Sequence, residues 1–194
     1  VSGFGPDELI NCYRQGIFPM ADSRDDDSLF LIEPETRAIF PLDDFKASRS
    51  MQKFARKTPL TVTINHAFPA IITACAELRE ETWISHGIEW LYGILHARGE
   101  AHSVEVWNGE TLVGGLYGVS QGGAFFGESM FSVETNASKL ALMHLIKRLR
   151  ERGFVLLDAQ FMTEHLATLG AIEIARAEYK DRLEKALLIN SFFN

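Results

Sequence analysis

Residues 101–132 read AHSVEVWNGETLVGGLYGVSQGGAFFGESMFS, and the fold turns on how this stretch is read. It contains three strand-like runs separated by two turn signals. Asn108-Gly109 stands between Val-Glu-Val-Trp and Thr-Leu-Val. That pairing predicts a two-residue type I′ hairpin, because both positions tolerate positive φ. Gln121-Gly122-Gly123 marks the second reversal. The third run carries one carboxylate, Glu128, between Gly127 and Ser129 in an otherwise apolar strand. Burying a charge is costly unless the charge has a partner or a task. This reading places the active site at Glu128.

Downstream, Asn136 is expected to cap an amphipathic helix running to about Arg152, with Leu140, Leu142, Met143, Leu145, Ile146 and Leu149 as its buried stripe. Gly153 stops it. Phe154-Val-Leu-Leu-Asp158 then forms a near-continuous apolar run, as in a buried, parallel strand. Short helices over 163–169 and 176–187 flank a last strand over 171–174. A meander, a helix crossover and a buried strand together make an α+β pattern: a mixed, mainly antiparallel sheet with flanking helices. Ligands commonly bind at strand ends in open sheets with such a crossover, and Asp158 and Gln160 stand at one of those ends.

Upstream, 6–16 reads as a helix with Pro6 and acids in its first turn and Gly16 as its stop. Residues 21–28 hold four aspartates and read as an exposed turn. Residues 16–20, 30–34 and 37–41 read as extended segments, and 60–64 as a strand. Asn65 is the expected cap of a helix over 66–76, and a further helix covers about 85–98. Residues 47–57 read as a helix with Met51, Phe54 and Ala55 inward and Arg49, Lys53, Arg56 and Lys57 on the other face. Six of the nineteen Lys and Arg residues fall between Arg37 and Lys57, with Arg37 and Lys46 completing the set. A helix face of this kind is usually just solvated. Its concentration in a chain of net charge −7 points to an anion site, with phosphates as the natural ligand.

Composition narrows the classes. A 194-residue chain that is 46 % hydrophobic can bury a core and form one or two domains. No apolar run approaches the roughly 18 residues of a membrane span. The first residues, Val-Ser-Gly-Phe-Gly-Pro, lack the charged and apolar regions of a signal peptide. Cys12 and Cys75 form no CxxC pair, which suits a reduced, cytoplasmic protein. The six histidines have no metal-ligand spacing, so no metal and no cofactor are expected.

The motifs G-I-F-P, S-R-S-M, T-W-I, A-H-S-V-E-V-W, L-V-G-G-L-Y-G-V, F-F-G-E-S-M-F-S, N-A-S-K and L-D-A-Q, followed by H-L-A-T-L-G-A-I-E-I, occur in this order. They resemble the leucyl/phenylalanyl-tRNA–protein transferases over about 9–179. The resemblance implies a fold similar to the Gcn5-related N-acetyltransferases in 37–194, behind a reduced N-terminal segment over 1–36. It implies an aminoacyltransferase that moves Leu or Phe, sometimes Met, from aminoacyl-tRNA to proteins with N-terminal Arg or Lys, marking them for degradation. A monomer away from membranes is expected.

Such chemistry asks little base strength. The donor ester is already activated, and an α-amine with a pKa of about 7.7–8.0 is partly neutral at physiological pH. Proximity and orientation are worth roughly 7–11 kcal/mol. By the resemblance, Leu116, Phe125, Met130 and Leu157 line the aminoacyl side-chain pocket, with Gly127 among the substrate-binding residues. Glu128 holds the donor's amino group or terminal adenosine, and Trp83 stacks on the terminal nucleotide. Asp158 accepts from the Gln160 side-chain amide and aims the Gln160 carbonyl at the incoming amine, as the catalytic pair. Arg49, Lys53, Arg56 and Lys57 match the tRNA-contacting helix. On their own, the apolar residues read simply as core, and Glu128 has the alternative reading of a partner to a structural Arg.

This chain departs from the family's usual pattern at Met20, where a Trp is common, at Leu31 and Ile32, and at Thr163. Two other readings are an acyl-CoA N-acetyltransferase and a non-catalytic tRNA- or peptide-binding module. The first needs a glycine-rich pyrophosphate loop before a helix, and Phe-Ser-Val-Glu-Thr, which precedes Asn136, contains no glycine.

Overall fold

The computed structural model describes residues 4–26, 28–78 and 81–194. Its centre is a seven-stranded sheet in the order β4-β5-β6-β7-β8-β3-β9. The meander forms β5 (Ala101–Asn108), β6 (Thr111–Gln121) and β7 (Ala124–Ser132). Outside β5 lies β4 (Thr61–Ile64), while β8 (Leu156–Gln160), β3 (Thr36–Phe40) and β9 (Ile172–Ala175) complete the other half. Every pairing in this sheet is antiparallel except β7 with β8, which α5 (Ala137–Glu151) connects as a crossover. This is the mixed, mainly antiparallel α+β architecture expected, with β8 parallel to its neighbour. A separate hairpin pairs β1 (Phe18–Met20) with β2 (Phe30–Ile32).

Successive strand residues face opposite sides, and the core divides accordingly. Ala124, Phe126, Leu156 and Ile39 join one apolar cluster, whereas Phe125, Leu157 and Phe40 join the other. The first side is covered by α1 (Pro6–Arg14), α3 (Phe68–Glu77), α4 (His86–Ala97) and α7 (Arg176–Leu187). The second is covered by α5, with α2 (Arg49–Lys57) and the short α6 (Glu164–Thr168) at its margin.

Three local expectations are corrected. The β5–β6 connection pairs Asn108 with Thr111, so Gly109 and Glu110 are the central residues. Only Gly109 has positive φ, at 59°, which excludes type I′ and carries the sign pattern of type II′. Asn65 does not cap the following helix: at φ 56° its side chain accepts from the Ser103 amide. The buried Glu105 carboxylate takes the capping role instead, accepting from the His66 and Ala67 amides at 3.2 and 3.3 Å. Asn136 precedes α5 in a left-handed conformation with no side-chain cap bond, and Ser132 Oγ accepts from the Ser138 amide there. Of the expected turn over 21–28, Asp27 lies outside the described residues.

Candidate active site

Two bulges create the site. Between β6 and β7, Tyr117 pairs with Ser129 and Gly118 with Gly127, so Glu128 is the extra residue. Between β3 and β8, Ile39 pairs with Asp158 and Ala38 with Gln160, so Ala159 is the extra residue. Bulges break the ladder locally and re-aim side chains. The parallel register of β7 and β8 ends at the same level, at Phe126 with Asp158. Beyond that point the strands part around a cleft of about 300 Å³. Gln160 has φ 62°, a left-handed strain of the kind that concentrates at functional sites.

Glycines make the close approach possible. A Cβ on Gly118 would lie 2.3 Å from the Phe126 carbonyl oxygen and 2.4 Å from the Phe125 ring. One on Gly127 would lie 3.2 Å from the Asp158 carbonyl oxygen.

Glu128, 9 % exposed, is held by phenols and an amide rather than by an arginine. Its Oε1 accepts from Tyr13 Oη at 2.6 Å. Its Oε2 accepts from Tyr92 Oη and from Gln160 Nε2, each at 2.9 Å. The two phenols also touch each other. Burial pushes the Glu128 carboxyl up to about 7, against the pull of these three donors. Burial first, and then the Glu128 charge, holds both phenols well above their ordinary value of 10, so they stay protonated donors.

Asp158 is sealed. Arg37 grips it through Nε at 2.9 Å and Nη2 at 2.6 Å, and Tyr179 Oη donates at 2.7 Å. Arg37 and Asp158 are 2 % and 0 % exposed. Arg37 also donates to the Gly16 carbonyl and lies against the Phe18 and Tyr179 rings. The expected bond from the Gln160 side-chain amide to Asp158 is not formed. The Gln160 backbone N–H donates to Asp158 Oδ1 at 2.8 Å, while the side-chain amide donates to Glu128. With Nε2 committed, the Gln160 side-chain carbonyl is the acceptor that remains for the cleft. The left-handed backbone at Gln160 is what allows this split.

Trp83, Leu116, Gly127, Glu128, Met130, Leu157, Asp158 and Gln160 all line the cleft. Phe125 does not: it is fully buried and stacks on Phe193, with ring centroids 5.2 Å apart. The bulge at Glu128 shifts the alternation of β7, so that Met130 packs on the same side of the sheet as Phe125. Arg49, Lys53, Arg56 and Lys57 lie along α2, with Arg49, Lys53, Arg56 and Lys57 all out of the core. Arg37, counted with them from the sequence, is instead the buried partner of Asp158. The signal that could have found it is weaker than that of Glu128: Arg37 heads the short apolar run Ala38–Phe40, after two glutamates and a threonine. Tyr13, Tyr92 and Tyr179 have no local signal. Each lies on the buried face of a helix far along the chain.

A mixed sheet splayed beside a largely apolar cleft, with a buried carboxylate and a carboxamide converging on it, defines an α+β protein of the FemX fold. The chain superposes on the crystal structure of FemX with a TM-score of 0.58, at 14 % identity, over 87 % of this chain and 66 % of that one. The family is narrower than the fold. The model of the leucyl/phenylalanyl-tRNA protein transferases matches 39–184, and that of their N-terminal domain matches 4–35. The leucyl/phenylalanyl-tRNA–protein transferase of Maricaulis maris (strain MCS10) is 55 % identical over 195 residues, covering 99 % of this chain and 90 % of the relative. That of Caulobacter vibrioides (strain NA1000 / CB15N) is 56 % identical over 187 residues, covering 95 % and 86 %. This chain belongs to the leucyl/phenylalanyl-tRNA–protein transferase family. Among the described residues, no helix is long and apolar enough to cross a membrane.

Proposed function

We propose that this aminoacyltransferase moves Leu or Phe from tRNA to N-terminal Arg or Lys, with Glu128 and Gln160 as the residues that touch the reacting amine. The observation that carries this reading is the Gln160 amide, whose N–H is spent on Glu128. Its carbonyl is thereby fixed as an acceptor for an α-amine entering the cleft. Asp158, closed in by Arg37 and Tyr179, acts through the Gln160 backbone and is a positioning residue.

The Tyr13–Tyr92–Glu128 triangle supports Glu128 as proton acceptor. Three O···O contacts share only two phenolic hydrogens while Glu128 is ionised. A proton arriving on Glu128 supplies the third. Raised to about 7, the carboxyl is also matched to an amine of pKa about 7.7–8.0. The neutral amine attacks the ester carbon and its nitrogen–carbon bond forms. Glu128 takes the amine proton and returns it to the departing 3′ oxygen as the carbon–oxygen bond breaks. The products are a peptide bond and free tRNA.

Leu116, Met130 and Leu157 offer the donor side chain an apolar bed, to which Met adapts. Trp83 holds the terminal nucleotide by stacking. Arg49, Lys53, Arg56 and Lys57 hold tRNA phosphates, which positions the nucleic acid without reading its sequence. The splayed parallel pair supports a Gcn5-related acetyltransferase-like domain over 37–194, with 1–36 as a separate N-terminal segment. A monomer working in the cytoplasm completes the reading.

The test is a transfer assay with labelled Leu-tRNA and Phe-tRNA against peptides beginning with Arg, Lys or Ala. Transfer to the first two alone is expected, and no transfer to either sinks the reading. Glu128→Gln and Gln160→Ala both abolish transfer if the roles are as stated. A non-catalytic binding module predicts that neither substitution alters binding of either substrate or any other function.

A further inference from the structure

The acceptor's cationic side chain needs a partner, and the cleft offers it no uncommitted carboxylate. Among the described residues that line it, the acids are Glu128 and Asp158. Glu128 is held by Tyr13, Tyr92 and Gln160 and is reserved for the reacting α-amine, and Asp158 is closed by Arg37, Tyr179 and the Gln160 amide. Glu33, outside the cleft, is paired with Lys180 and Arg176. A cation held beside Gln160 therefore meets aromatic faces rather than charges.

Phe161 presents such a face. It follows Gln160 directly, and the left-handed turn at Gln160 lets both side chains line the same cleft, where strand alternation would have separated them. Phe161 is 43 % exposed, which leaves part of its side chain open to a ligand. It is also held in place: it packs edge-on against Phe18 with centroids 5.4 Å apart at 84°. Phe18 in turn is pinned by the buried Arg37 guanidinium, 4.6 Å from its centroid. The chain thus invests a buried, ion-paired scaffold in fixing one exposed aromatic next to the carbonyl that receives the amine.

We infer that Phe161 is the acceptor-specificity residue: its ring face receives the guanidinium or ammonium of the N-terminal Arg or Lys by a cation–π contact. The assignment rests on the proposed acceptor class and refines it. Guanidinium groups make this contact more often than ammonium groups, so Arg acceptors depend on Phe161 more than Lys acceptors do.

The experiment compares peptides beginning with Arg, Lys and citrulline, the last matching Arg in shape without its charge, in the wild-type chain, Phe161→Leu and Phe161→Trp. Phe161→Leu is expected to raise the KM for the Arg peptide roughly three- to tenfold, with a smaller rise for Lys and little change for citrulline. Phe161→Trp keeps the preference for Arg over citrulline. An unchanged KM for Leu-tRNA in Phe161→Leu shows that the variant is folded and donor-competent. Equal losses for Arg and citrulline peptides overturn the proposal, as does a loss confined to Leu-tRNA. So does a preference that survives Phe161→Leu and disappears in Glu164→Gln, which removes the exposed acid on the adjoining α6. If the wild type transfers to neither Arg nor Lys peptides, the acceptor class itself falls.

Discussion

Replacing Glu128 by Gln keeps the shape of the side chain and removes its titration. In the folded protein the carboxyl titrates at about 7 rather than at its ordinary 4.5, chiefly because it is buried. Between those two values the folded state holds a proton that the unfolded chain has released. Stability contributed by that proton is complete below 4.5 and is lost as pH rises through 7. A rise from 4.5 to about 7, at about 1.36 kcal/mol per pKa unit, corresponds to about 3 kcal/mol. Wild type is therefore expected to lose on the order of 3 kcal/mol more than Glu128→Gln between about pH 4.5 and about pH 8. His102 opposes this trend in both proteins. Burial holds its imidazole down at about 3, so its contribution is lost as pH falls from 6.5. Taking the difference between the two proteins cancels it. Urea denaturation at several pH values, read as midpoint and slope, gives the difference directly. Transfer assays across the same range should show the wild-type rate falling below about pH 7, where Glu128 is already protonated. Parallel stability curves for the two proteins would refute both the buried-carboxyl argument and the proton-acceptor role.

Three further outcomes are expected. Arg37→Met leaves the Asp158 charge buried without its partner, so stability should fall by about 3–5 kcal/mol in urea denaturation. Gly118→Ala sets a methyl 2.3 Å from the Phe126 carbonyl oxygen, which cannot move without disturbing the β6–β7 bulge. It should cost at least about 2 kcal/mol in the same assay and lower transfer activity. Arg49→Glu with Arg56→Glu should weaken tRNA binding and flatten its log-affinity against log-salt slope by roughly one unit for each phosphate that is no longer neutralised. An unchanged slope would remove α2 from the tRNA site.

Much of this protein is legible in its sequence because the information is local. The 101–132 meander follows from alternation and turn residues, and the crossover helix and buried β8 follow from periodicity. Glu128 is visible as a single charge within an apolar strand, since burial of a charge demands an account, whereas Arg37 reads as one more cation of the 37–57 set and only the fold shows it buried. The family's motifs are contiguous and can be read without a structure. Where pairing rather than composition sets the geometry, the sequence falls short. The Asn108 turn shifts by one residue, and Asn65 yields its cap to Glu105 on β5, because β-strand register and cross-strand carboxylates are not local properties.

The site itself divides the same way. Motif and burial arguments along the chain were enough to mark a glutamate, an aspartate and a glutamine as the candidate chemistry. Packing in three dimensions tied the carboxylate of Asp158 to Arg37 and Tyr179 and set Glu128 against Gln160 at the cleft. Tyr13 and Tyr92 come from α1 and α4 to hold Glu128. Arg37 comes from β3 to close Asp158. A bulge in each of two neighbouring strand pairs opens the cleft between them. A buried charge takes its behaviour from the partners packed around it, and those partners are brought together by the sheet rather than by position along the chain.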